Sequence, residues 1–345
     1  MRQADYIIAG QGLAGSCVAL HLLMRNRRII VLDDDYPQAA SRVAAGLFNP
    51  VTGKMPALTW MADDLFTYAH EFYAKAEQLT GLSFFYPMPV YRPFISDEEQ
   101  RLWLDKSRGP RFARFIQKVY THPVFNDEVT NPYGGIELRQ SGYVNTSAFL
   151  QAVRNLIIRE GLFILERFDE GALKISAEEV IYQGYVARGI IICTGINTTG
   201  LFNFLPVSKL KGEVLLLRSN CRPKCIYNRG VYVVPGVWKA GATYNKHDSE
   251  SGITAAARAE LEAGLQKLIR YPYEIIGQDF GFRPVTPDRR PLLGRHPEYR
   301  NVYIFNGLGT KGVTLAPYFS AQLVDFIEND KTINQEADIK RYIFR

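Results

Sequence analysis

Close to the start the chain reads Ile7-Ile8-Ala9-Gly10-Gln11-Gly12-Leu13-Ala14-Gly15, and glycine at the first, third and sixth places of a turn limits what can be built around it. Such spacing allows a tight turn, close approach of the backbone to a ligand and close helix packing. The N–H groups that open the next helix are then free for a phosphate. The flanking residues supply the rest of a βαβ unit. Tyr6 to Ala9 has the pattern of a short buried strand, Leu13 to Arg25 of an apolar helix, and Ile29 to Leu32 of a second strand ending in Asp33.

Asp33 stands 18 residues after Gly15, where a carboxylate at a strand tip accepts from both ribose hydroxyls of a dinucleotide. Asp34 beside it is taken into the same site, although Asp34 and Asp35 also suit a solvated acidic turn. An acid here implies a free 2′-hydroxyl, hence FAD or NAD and not NADP. Gly10, Gly12, Leu13, Ala14 and Gly15 form the expected pyrophosphate cradle.

A chain of 345 residues is long enough for two domains. It has no run of about 18 apolar residues, and its first strand begins almost at Met1, leaving no room for a signal peptide. A cytoplasmic protein is expected. Cys17 and Cys193 fall in apolar patterns, whereas Cys221 and Cys225 have no second ligand pair at zinc spacing, so no metal is expected. The formal net charge of +6 suits anionic ligands and leaves nucleic acid a less favoured partner. The densest basic segment, Lys106 to Lys118, reads as an amphipathic helix.

Along the chain, Leu65 to Leu79 reads as helical and Ser83 to Ile95 as extended. Ser147 to Glu160 is helical again, and Leu162 to Leu165 and Arg188 to Cys193 are strands. Alternating stretches from Gly212 to Thr243 predict antiparallel strands, with a helix following near Thr254 to Ile269. Val302 to Phe305 is a last strand, Asn306 to Gly312 a glycine loop and Val313 to Glu328 a long apolar helix. The fold class predicted is α/β: a Rossmann-like FAD-binding domain of residues 1–81, 141–205 and 279–345, with an antiparallel β-sheet substrate domain, 82–140 and 206–278, inserted in it.

The closing loop decides between FAD and NAD. A plain NAD-binding domain has no need of a second glycine loop feeding a helix, whereas a flavin that takes up a hydride gathers negative charge at its pyrimidine edge, which a helix N-terminus stabilises. Gly309, Thr310, Lys311, Gly312, Val313 and Thr314 are the residues expected there.

Taken in order, these motifs resemble the FAD-dependent amine oxidoreductases that include D-amino acid oxidase, glycine oxidase and sarcosine oxidase. The family's flavin-contacting serine and Ala-Ala-Gly segment resembles Ser41 and Ala44-Ala45-Gly46-Leu47. SGYVNTSAFLQAV is similar to its helix lead-in. Thr194-Gly195 in CTGINT resembles its late-strand glycine, GFRPVTPDRRPLLG its signature before the last strand, and GLGTKGVTLAP its C-terminal flavin loop.

The resemblance implies noncovalent FAD, because no cysteine lies near the GxRP signature or the C-terminal loop where sarcosine oxidase carries its flavin link. It also implies oxidation of the C–N bond of a small amine or amino acid by hydride transfer to flavin N5. Arg283 occupies the place of the arginine that binds the substrate carboxylate, a role suited to a guanidinium fork. In IYNRGVYVVPG a tyrosine sharing that carboxylate is Tyr232 or Tyr227, with Tyr232 preferred. Lys311 stands where relatives often have histidine. Two other functions are compatible with the family: a flavin domain acting in tRNA wobble-uridine modification, and a quinone-linked D-amino acid dehydrogenase.

Overall fold

The computed structural model describes residues 2–52, 57–198 and 200–343. Its parallel sheet is built from the outset by apolar runs buried on both faces. Strand Arg2–Ala9 lies between Ile29–Asp33 and Tyr185–Ile192, with Leu162–Leu165 outside Ile29–Asp33 and Val302–Asn306 joined in parallel to Tyr185–Ile192. Short antiparallel strands Leu173–Ile175, Val180–Tyr182 and Leu292–Arg295 complete it.

Because successive strand residues face opposite sides, Tyr6, Ile8 and Ile191 enter one core, whereas Ile7, Ala9 and Ile190 enter a second. The α-helices among the described residues are, in chain order, α1 (Leu13–Leu23), α2 (Ala40–Val43), α3 (Ala62–Thr80), α4 (Asp97–Arg108), α5 (Pro110–Ala113), α6 (Thr146–Glu160), α7 (Ala255–Leu268), α8 (Gly312–Asn329) and α9 (Lys340–Ile343). Leu13 through Leu22 of α1 are all buried, since the helix is enclosed by the sheet, α3, α6 and α8.

The second large sheet runs Glu274–Val285, Ser208–Arg218, Lys239–Gly241, Val231–Val234, Ile226–Arg229, Val90–Pro93, Gly135–Leu138 and Ile116–Tyr120. Its neighbours are antiparallel except for Ile226–Arg229 with Val90–Pro93. Helix α7 covers one face, where Leu215, Val231, Val233, Leu261 and Leu265 pack together. Buried on that side as well, Glu213 accepts from the N–H and hydroxyl of Thr254 (2.9 Å each) and from Gln278 (2.7 Å), which pins the start of α7.

Three placements depart from the sequence reading. Residues 279–285 belong to the antiparallel sheet, because Glu274–Val285 is one continuous strand paired along Ser208–Arg218. Lys106–Lys118 is not one helix: Gly109 leaves the helical region, Pro110 restarts the chain as α5, and Ile116 begins a strand. The stretch 83–95 is divided. Phe85–Pro87 joins Gly142–Val144 and Leu47–Phe48 in a three-stranded sheet, while Val90–Pro93 joins the large one.

Candidate cofactor and substrate site

The glycine turn emerges at the C-terminal edge of the parallel sheet. Gly10 has φ +99°, and a β-carbon on it would stand 2.5 Å from the Cys193 carbonyl oxygen; one on Gly15 would stand 1.8 Å from the Gly10 oxygen. Gly15 is therefore a packing residue and does not line the cleft, whereas Gly10, Gly12, Leu13 and Ala14 do. Gly12 caps α1 without a side chain, and the Ser41 hydroxyl reaches across to accept from the Leu13 N–H at 3.0 Å.

Asp33 accepts from the backbone N–H of Gln11 (2.7 Å) and of Asp35 (3.0 Å), which ties the second strand tip to the turn. Arg42 (3.3 Å) and Arg154 (3.5 Å) both approach its carboxylate, and Arg154 also donates to the Gln11 side chain at 2.9 Å. Asp35, paired with both guanidinium groups, titrates below the usual carboxylate range, chiefly through its hydrogen bond from Arg154. Exposed Asp34 also lines the cleft. Arg42, Arg154 and Gln11 were not identified from the sequence: Arg154 lies more than a hundred positions from its partners Gln11 and Asp35, and Arg42, although nine residues from Asp33, belongs to no motif that marks it.

Next along the cleft come Ala44, Ala45, Gly46 and Leu47. Gly46 has φ +70° and its missing β-carbon leaves room for the Val144 carbonyl, 1.7 Å from where that carbon would be. Lys239, a strand residue of the antiparallel sheet, directs its ammonium at the carbonyls of Arg42 (3.4 Å), Val43 (2.9 Å) and Ala44 (3.3 Å). Three carbonyls thereby receive the donor that the end of α2 lacks. Burial pulls this amine below its ordinary range.

Thr194 and Gly195 sit where the middle strand opens. Asn306 donates to the Gly195 carbonyl at 2.8 Å and to Thr198, and accepts from the Gly307 N–H at 2.8 Å. It joins that strand end to the closing glycine loop. The loop is tied in turn to the GFRP strand by the Gly309 N–H on the Pro284 carbonyl at 2.9 Å. Gly309 to Thr314 line the cleft, and Lys311 reaches Thr59 (3.2 Å) and Thr52 (3.5 Å). Burial first, then Arg290 and Arg289, lower the affinity of Lys311 for its proton.

On the cleft face of the antiparallel sheet, Arg283 lies over Gly212 and beside Tyr232. A β-carbon at Gly212 would stand 2.1 Å from its Nη1. Arg283 donates to the Thr243 carbonyl at 3.3 Å, and among the described residues no carboxylate comes within 4.0 Å of it. Burial lowers its pKa from the ordinary arginine value, and burial raises that of Tyr232. Tyr227 is elsewhere: its hydroxyl is bonded to Glu128 at 2.8 Å within the core under α7. The hairpin register gives the reason. Tyr227 pairs with Val233 and Tyr232 with Asn228, so the two tyrosines point to opposite faces.

All these elements enclose one continuous cleft of about 2360 Å³. That is more than twice the roughly 1,000 Å³ at the upper end for single small-ligand pockets, and it suits a dinucleotide together with a substrate. The glycines whose β-carbons would collide, the helix start capped by glycine, and the acid at the second strand tip are a cradle fitting FAD. The fold and cleft thus define a dinucleotide-binding flavoprotein. Residues 5–325 match the family described as DAO: FAD dependent oxidoreductase, and the chain belongs to that family.

Among curated proteins it is 27% identical, over 95% of its length, to the Bifunctional protein ThiO/ThiG of Trichormus variabilis. It is also 23% identical, over 98% of its length, to the tRNA 5-methylaminomethyl-2-thiouridine biosynthesis bifunctional protein MnmC of Hahella chejuensis. The chain spans just over half of these two-function relatives, 53% and 59% of their lengths. Glycine oxidase from Geobacillus kaustophilus shares the fold with a TM-score of 0.81 at 18% identity, over 99% of this chain and 98% of that one. No helix among the described residues is long and apolar enough to cross a membrane.

Proposed function

We propose that this FAD-dependent oxidoreductase oxidises the C–N bond of a small amine or amino acid. The observation that carries the reading is Arg283: a guanidinium facing the cleft with no carboxylate from the described residues as its partner. A substrate carboxylate supplies the missing anion, and the fork fixes it in two places. The Tyr232 hydroxyl shares the carboxylate. The parallel-sheet unit is the FAD-binding domain and the antiparallel sheet the substrate domain, with the reacting carbon held between them.

Bound FAD supplies the two-electron acceptor for the hydride leaving the α-carbon of a neutral amine. The protein's share is orientation by Arg283, exclusion of water by the enclosing strands, and a positive field from the start of α8 and Lys311. The product is a protonated imine, which water hydrolyses after release. No general base is required, and none is assigned. The cofactor is held noncovalently. Cys193, the cysteine that lines the cleft among the described residues, is buried in the apolar core and its thiol titrates well above the ordinary value.

Anaerobic mixing with a panel of amines and amino acids tests this directly, with flavin bleaching as the readout. Rapid bleaching by at least one amino acid is expected; a flavin left oxidised by all of them defeats the reading. Reoxidation of the reduced protein by oxygen or by a quinone then separates an oxidase from a dehydrogenase. The tRNA-modifying alternative has the MnmC relative and the net charge of +6 in its favour. It requires RNA binding that weakens steeply with salt.

A further inference from the structure

Strand Ser208–Arg218 presents its residues alternately to the cleft and to the α7 side. Gly212 and Val214 line the cleft, so Lys211 and Glu213 face the other way. Lys211 is 1% exposed and Glu213 2%. Burying an ammonium is costly unless it is paired and hydrogen-bonded. That of Lys211 donates to Asp248 at 2.7 Å, stands 3.9 Å from Glu213 and lies 5.6 Å from the centre of the Phe280 ring. Amine oxidation uses neither charge.

What this lysine holds is the segment 243–254, which runs from the cleft to the start of α7. Its ends are tied to Glu213: the Thr243 N–H donates to the Glu213 carbonyl at 3.2 Å, and the Glu213 carboxylate accepts from Thr254. Its middle is tied to Lys211, through the backbone of Asn245, bonded both ways at 3.0 and 3.1 Å, and through Asp248. Pairing Lys211 with Asn245 and Glu213 with Thr243 sets Tyr244 opposite Gly212, the residue under the Arg283 guanidinium. The Glu213 N–H donates to the Thr243 hydroxyl at 2.9 Å, which leaves the Thr243 carbonyl to accept from Arg283 at 3.3 Å. Tyr244, half-exposed, lines the cleft.

Taking Arg283 as the anchor of the substrate carboxylate, the reading on which this rests, we infer that Lys211 is a positioning residue for that subsite. With Asp248 it latches segment 243–254 from behind the sheet, so that the Thr243 carbonyl steadies the guanidinium and Tyr244 walls the ligand bound to it. A buried ion pair adds little net stability, since apolar residues of similar volume often replace it without loss, but it can hold one arrangement against others. Here the arrangement held is the one that orients Arg283.

FAD-loaded Asp248→Ala, Asp248→Asn and Lys211→Met are compared with the parent by three readouts. These are the affinity of acetate from its perturbation of the flavin spectrum, the KM and limiting rate of anaerobic flavin reduction by the amino acid of the panel that bleaches it fastest, and trypsin cleavage after exposed Lys246. In Asp248→Ala and Lys211→Met, acetate should bind about tenfold more weakly and KM should rise by a similar factor, with the limiting rate, FAD content and melting temperature close to those of the parent. Cleavage after Lys246 should be several-fold faster than in the parent, where acetate should slow it. Asp248→Asn keeps an acceptor for Lys211 and should recover most of the affinity.

Acetate affinity and KM unchanged in Asp248→Ala and Lys211→Met overturn the inference. So does a loss of affinity matched by losses of FAD and melting temperature in Asp248→Ala, since the pair would then be serving the fold as a whole. Asp248 is partly exposed, so this variant decides should Lys211→Met not fold. Acetate without effect on the parent flavin also overturns it, because Arg283 would then hold no carboxylate. If acetate binds but every amino acid leaves the flavin oxidised, the amine-oxidising reading falls, and the acetate and trypsin readouts decide the latch by themselves.

Discussion

Arg283, opposite Leu210 in the strand register, lays its guanidinium diagonally over Gly212 of the neighbouring strand, so closely that a β-carbon at Gly212 would meet Nη1 at 2.1 Å and the central guanidinium carbon at 2.3 Å. Gly212→Ala should therefore displace the guanidinium without touching the cofactor cradle. The expected result is an apparent affinity for amino acid substrates about tenfold weaker or worse, with FAD content retained. Substrate titration beside a flavin-to-protein absorbance ratio checks it, and unchanged affinity would show that Arg283 does not hold the substrate.

Arg283→Lys keeps a point charge and loses the fork. Apparent affinity should fall by roughly 1 to 3 kcal/mol with FAD content unchanged. Tyr232→Phe should cost less. Tyr227→Phe is the contrast within the same hairpin: it removes the bond to Glu128, so stability should fall by about 1 kcal/mol while steady-state kinetics stay as they were. Kinetics and denaturant unfolding of the three variants, run in parallel, distinguish these roles.

At the other end of the cleft, Gly12→Val places a branched side chain at the mouth of α1, where the first β-carbon alone meets the Ser41 hydroxyl at 3.1 Å. The purified variant should be colourless, because the pyrophosphate loses its space. Gly15→Ala should fail differently. Its β-carbon would lie 1.8 Å from a backbone oxygen, so the protein should unfold at a markedly lower temperature even before FAD is added. A yellow Gly12→Val protein with full flavin occupancy would refute the cradle assignment.

His21 gives a prediction on pH. Its ring nitrogens face the Cys17 carbonyl (2.8 Å), the Ser320 hydroxyl (3.0 Å) and the Tyr68 hydroxyl (2.9 Å). Burial pulls its pKa from 6.5 down to about 4. Between those values the unfolded chain binds the proton and the folded one does not. Stability is accordingly full above pH 6.5 and is lost as pH falls toward 4. The share due to this residue is about 2 kcal/mol between pH 7 and 5. Denaturant unfolding at both pH values should show a smaller difference for His21→Gln than for the parent chain, and an equal difference would remove His21 as the cause.

What the sequence determined by itself was local. The turn around Gly10, the helix that follows it and the strand ending in Asp33 are legible because their requirements, left-handed φ at one residue and apolar periodicity over a dozen, are satisfied within a short span of chain. The same holds for the closing strand, loop and α8. Motifs quoted for their family resemblance, Ala44 to Leu47, Thr194-Gly195 and Gly309 to Thr314, likewise line the cleft.

Only the tertiary structure decided which of two tyrosines faces the cleft, because a strand pairing of Tyr227 with Val233 and Tyr232 with Asn228 sends them to opposite faces, and register is not written in composition. It also decided where the GFRP segment belongs. Residues that read as the return to the parallel sheet instead extend a strand along Ser208–Arg218, and that pairing carries Arg283 over Gly212. The hydrogen bonds of Arg154 with Gln11, Lys239 with the end of α2, and Asn306 with Gly195 join residues more than a hundred positions apart. Such contacts depend on the folded backbone bringing distant donors and acceptors within 3 Å, and no local pattern encodes that distance.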